Sequence, residues 1–121
     1  MQPELNTYQP SAEAFRQVAR REFVQRRVLA NAIQFRPDFP AWLEKNLPIW
    51  ERFEAEANLL YANGVRQWGA RTIWEYLRRQ TALREADGDF KLNNNFAPAL
   101  ARLYLLMYPE RGQFFELRRV A

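Results

Sequence analysis

Phe90-Lys91-Leu92-Asn93-Asn94-Asn95 leads into Phe96-Ala97-Pro98-Ala99-Leu100-Ala101-Arg102-Leu103-Tyr104-Leu105-Leu106-Met107-Tyr108. Pro109-Glu110-Arg111-Gly112 and Gln113-Phe114-Phe115-Glu116-Leu117 follow. The middle piece repeats its apolar groups at helical spacing, through Ala99, Leu100, Leu103, Tyr104 and Met107. The asparagines offer a cap, Pro98 suits a first turn, and Pro109 stops the helix. The spacing predicts a helix over 95–108. Phe90-Lys91-Leu92 reads as a short extended run, and Phe114-Phe115-Glu116-Leu117 as a closing strand or a short final helix, each edged by turn residues. An isolated hairpin is marginal in water, so the two runs are expected to pair as a ribbon packed on that helix. The fold class expected is mainly α: a helical domain with a short two-stranded β-ribbon, winged-helix-like. A plain all-α bundle is the alternative.

Upstream of this stretch the chain also reads as helical. Ser11 is a cap, and Phe15, Val18, Ala19 and Phe23 follow as an apolar stripe broken only by Glu22. The run passes Val28, Leu29, Ala32 and Ile33, with Arg16, Arg20, Arg21, Arg26 and Arg27 interleaved, and ends before Pro37. Asp38 and Pro40 open a short helix holding Trp42 and Leu43. Asn46 is the expected cap of a helix over 49–63, closed by Asn63-Gly64. A further helix over 70–83 carries Ile73, Trp74 and Leu77. The three later helices should pack through Phe53, Leu60, Ile73, Leu77, Leu100 and Leu103. Residues 1–10, with Pro3 and Pro10, read as a flexible arm ahead of one domain over 11–121.

Composition removes much of the usual chemistry. Among 121 residues there is no cysteine and no histidine. Thiol nucleophiles, Cys/His zinc sites and triads using His are therefore excluded, and the chain is expected not to be an enzyme. No cofactor and no metal site is expected. Glu51, Glu54 and Glu56 are the carboxylates that acid–base chemistry would draw on, but nothing in the sequence sets two of them across a pocket. Asp87 and Asp89 flank Gly88 in a turn too short for an EF-hand. No apolar run approaches the ~18–20 residues of a membrane span, and the first residues lack the pattern of a secretory signal. A cytoplasmic protein without a membrane partner is expected.

The charge points elsewhere. Net charge is +4, and the 18 basic residues are nearly all arginine, with Lys45 and Lys91 the exceptions. Arginine forks to phosphate and stacks on aromatic faces better than lysine. The excess lies after Gly64, where the helix over 70–83 brings Arg71, Arg78 and Arg79. Asn93 and Asn94 follow, then Arg102. Phosphate contacts position a protein on a duplex, and Asn can read adenine edges. Arg71, Arg78, Arg79, Asn93, Asn94 and Arg102 are therefore the expected nucleic-acid-binding residues. Of the four tryptophans, Trp50 and Trp74 fall on apolar helix faces, while Trp68, between Arg66 and Gly69, is the one placed to act at the surface.

Ile73-Trp74-Glu75-Tyr76-Leu77-Arg78, Phe90-Lys91-Leu92-Asn93-Asn94-Asn95, Ala101-Arg102-Leu103 and Phe114-Phe115-Glu116-Leu117-Arg118 together resemble a group of small proteins encoded by phages and prophages. The Phe-Lys-Leu-Asn-Asn-Asn piece is the most specific part. The resemblance implies a bacterial mobile-element setting and supplies no catalytic residues. The expected function is thus a non-enzymatic nucleic-acid-binding or regulatory protein of phage type, contacting DNA through an Arg/Asn face. The alternative is a small interaction or inhibitor module that occupies a host protein through aromatic anchors.

Overall fold

The Ser11 hydroxyl accepts the Ala14 N–H at 3.0 Å and starts α1, Ala12–Ala30, as its capping position predicts. The computed structural model describes residues 11–80 and 96–117. Five α-helices occur among them: α1, then α2 at Phe39–Lys45, α3 at Leu47–Ala62, α4 at Ala70–Arg78 and α5 at Ala97–Met107. Short 3-10 turns follow α1 and α5, at Ala32–Gln34 and Pro109–Arg111.

The ends of the helices follow local chemistry. Asp38 and Pro40 open α2, but the Asp38 carboxylate makes no cap bond and instead takes the Arg36 guanidinium at 2.6 Å. Buried Asn46 joins α2 to α3, and its side-chain amide donates to the Trp42 carbonyl at 2.8 Å. At the end of α3, Gly64 adopts φ 92°, its N–H reaches the Tyr61 carbonyl, and the Val65 N–H reaches the Leu60 carbonyl. Those two bonds make a Schellman closure, which favours glycine because a Cβ resists that backbone region.

The core lies between α2, α3, α4 and α5 and is strongly aromatic. Phe96, just before α5, stacks on Trp42 at 4.3 Å and also approaches Phe39 and Trp74. A second cluster joins Tyr104 to Phe114 and Phe115, with Phe53 behind. Phe53, Ile73, Leu77, Leu100 and Leu103 are buried as expected, while Leu60 is only partly so.

No strand occurs among the described residues, which corrects the expected ribbon. The partner run, Phe90-Lys91-Leu92, lies outside them. The run from Phe114 to Leu117 is irregular and follows a turn, with the Phe114 N–H bonded to the Arg111 carbonyl. The physical reason is visible in the two rings. Consecutive side chains of a strand point to opposite faces, yet Phe114 and Phe115 are both buried in one core, edge to face at 4.7 Å. Only a bent backbone allows that. The winged-helix layout is thus not seen, and the all-α description fits.

α1 is held differently from the others. Its inward face buries Val24 and Val28, but the rest of its attachment is polar. Arg20 meets Glu54, and Arg21 forks onto Glu51. Arg27 donates to the Leu106 carbonyl at 3.1 Å, in the last turn of α5, where helix carbonyls attract cations.

Candidate nucleic-acid interface

The linker after Gly64 and the start of α4 set Trp68, Gly69, Ala70 and Arg71 along one wall of an open groove of about 950 Å³. Ala97, Pro98, Ala101 and Arg102 of α5 form the opposite wall, and residues 112–117 close one side. The helices reach this position because α4 packs on α5, with Ile73, Trp74 and Leu77 of the one and Leu100 and Leu103 of the other buried in the core. The groove they border is lined mainly by apolar groups, with Arg71 and Arg102 among its polar ones.

Three properties make the groove suited to an anion. Arg71 and Arg102 reach it from different helices, with Glu116 the acidic residue of the lining. The first turns of both α4 and α5 border it. Helix amino ends carry partial positive charge, and two such ends border this groove. Finally, Trp68 is 41% exposed while its backbone N–H is fixed to the Phe114 carbonyl at 2.9 Å. Its indole is presented to solvent from a tethered backbone.

The expected site residues divide. Arg71 and Arg102 share the groove. Arg78 belongs to the same face of α4 as Arg71, but it points to Glu75, with Nη1 at 2.7 Å from the carboxylate. Arg71 also approaches Glu75, at 3.9 Å, while 70% of its side chain stays exposed. Arg79 is exposed at the α4 C-terminus, away from the groove lining. Asn93 and Asn94 lie outside the described residues. The groove residues Gly69, Pro98 and Gln113 were not legible in sequence, since only the packing of three separate segments assembles them.

The carboxylates of α3 are structural. Glu51 takes Arg21, Glu56 pairs with Arg52, and Glu54 takes both Arg20 and the Tyr108 hydroxyl. Tyr108 belongs to a larger network. Arg111 donates to the Tyr104 hydroxyl and to Asn58 Oδ1, and the Tyr104 hydroxyl donates to the same oxygen at 2.7 Å. Burial pushes both the Tyr104 and Tyr108 phenols above the ordinary tyrosine range. The hydrogen bond from Arg21 to Glu51 raises the Arg21 pKa further above its already high value. Arg111 also lies over the rings of Tyr61 and Tyr108, at 4.1 and 4.7 Å. These groups hold α1, α3 and α5 together and present no reactive atom to the groove.

Comparison of the chain with protein-family models, with curated proteins and with solved structures finds no match.

Proposed function

We propose that this protein binds a nucleic-acid strand in the groove between α4 and α5. The observation that carries the reading is the convergence of Arg71 and Arg102, from two helices, beside the exposed ring of Trp68. Arginine contacts phosphate in a fork, and a tryptophan face stacks any base, so the two together suit a strand whose bases are accessible. The paired helix amino ends favour the same anion. Binding without catalysis accords with a lining that offers no histidine or cysteine. The resemblance of residues 73–118 to phage-encoded proteins adds a mobile-element regulatory setting to the proposal.

The test is a binding series with single- and double-stranded DNA and RNA of mixed sequence across a salt range. Affinity for the single strands should fall steeply with salt, as counterion release requires. Absence of binding to every probe at low salt would overturn the proposal.

An interaction module is the second reading, favoured by a different surface. Phe15, Val18, Phe23, Leu29 and Ile33 are all exposed large apolar side chains along α1 and the turn that follows it. Contiguous exposed apolar groups mark contact surfaces.

A further inference from the structure

The inward face of α1 is fixed by Arg20, Arg21, Val24, Arg27 and Val28, which engage α3, α5 or the core. The opposite face is therefore turned permanently outward. Along it lie Phe15, Ala19, Glu22, Arg26 and Leu29, and the exposed Ile33 follows in the 3-10 turn beyond Asn31. Their spacing alternates four and three residues, which is the seam of a heptad coiled coil. Phe15 is 59% exposed, Leu29 65% and Ile33 93%, so nothing among the described residues covers the seam.

The seam reads the same in both directions. In an antiparallel pair, seam residues meet in layers that run oppositely along the two helices. Laying a second α1 across the first in this way sets Phe15 against Ile33 of the second copy and Ala19 against Leu29. It sets Glu22 against Arg26 of the second copy, and Arg26 against its Glu22. Large groups meet small or aliphatic ones in the outer layers. The central layer holds two carboxylates and two guanidiniums in alternation. Phe23 lies on the flank next to the central layer, level with Gln25 of the second copy and about 3 Å along the axis from its Phe23. Such self-complementarity is what a twofold interface demands.

From this we propose that the chain associates with a second copy of itself through an antiparallel pairing of α1. Charge complementarity selects this occupant. Within one chain the Glu22–Arg26 pair is loose, at 3.7 Å with both side chains well exposed. A flat apolar partner or a lipid surface would bury these two charges without new partners, which is costly. A second α1 supplies the reciprocal charges in the required order. The seam extends over a helix of 19 residues, roughly 28 Å long, continuous enough for a cooperative contact. Pairing through α1 does not depend on the groove.

The experiment is sedimentation equilibrium of the full chain and of two charge variants, with circular dichroism to confirm that each is folded. Glu22→Arg leaves only basic groups in the central layer of a homodimer, and Arg26→Glu leaves only acidic ones. Each variant alone should self-associate at least ~10-fold more weakly than the natural chain, because like charges then face each other. Mixing the two variants should restore a dimer, since the basic layer of one meets the acidic layer of the other. Removal of the intrahelical pair should leave the helix content unchanged. The proposal is overturned if the natural chain remains a monomer up to millimolar concentration. It is equally overturned if both variants dimerise as the natural chain does, or if mixing them recovers nothing.

Discussion

Arg21 on α1 and Glu51 on α3 meet edge to edge, with guanidinium Nε and Nη2 at 2.8 and 2.7 Å from the two carboxylate oxygens. This fork fixes the direction of α1 as well as its distance, because two parallel bonds resist rotation. Arg21→Lys should keep the charge and lose the fork. The expected cost is about 1 kcal/mol, given that both side chains are about a third exposed. Urea unfolding checks it, and Glu51→Gln should cost a similar amount.

Phe96 is the point where α2, α4 and the start of α5 meet, stacked on Trp42 and covered by the Arg36 guanidinium at 4.3 Å. Phe96→Ala should destabilise the protein by about 3 kcal/mol or more, since it removes a buried ring and leaves a cavity. Thermal unfolding should show the decrease, while Phe96→Trp or Phe96→Tyr should cost less.

Gly64 stands in the left-handed region with open space around the position of a Cβ. Gly64→Ala should therefore lose stability through the backbone alone, by about 1–2 kcal/mol, with no steric clash to relieve. Denaturant titration measures this, and no change in stability would show that the Schellman closure tolerates a side chain.

Arg71→Ala and Arg102→Ala should each reduce the salt dependence of nucleic-acid binding, by about one unit of slope for each phosphate no longer held. Arg78→Ala should alter the slope far less, because Arg78 is engaged with Glu75. Trp68→Phe should remove most of the quenching of tryptophan fluorescence on binding. A double variant of Arg71 and Arg102 with unchanged affinity and slope would move the site elsewhere.

Tyr104 and Tyr108 carry phenols whose pKa values are raised in the folded state by burial. The unfolded chain then loses these protons first as pH rises. Their contribution to stability is complete below the ordinary tyrosine value, about 10, and declines as pH climbs through the raised values. Unfolding followed between about pH 8 and about pH 12 should show a fall confined to the alkaline end. Tyr108→Phe should make that fall shallower.

Where apolar periodicity and burial agree, the sequence is a sufficient guide. The helices expected over 49–63, 70–83 and 95–108 occur as α3, α4 and α5, with α4 closing at Arg78, short of its expected end. Ser11, Pro40 and Asn63-Gly64 act as punctuation in the places expected. Two things were not legible. The stripe of Phe15, Val18, Ala19 and Phe23 is outward, because arginines attach the other face of α1, and charge pairing across distant segments leaves no local period. Phe114-Phe115 reads as extended because aromatic pairs favour strands, yet two adjacent rings entering one core require a bend. The groove was half legible. Arg71 and Arg102 stand out by residue type, but their convergence is a product of packing.

The attachment of α1 has a consequence for biosynthesis. Arg27 finds its acceptor on Leu106, which lies 79 residues later in the chain. A ribosome therefore makes α1 before its anchors Glu51 and Glu54 on α3, and well before the one on α5. The attachment of α1 is thus completed only when α5 has been made, and until then its outer seam is open to the cell without the full hold of the fold.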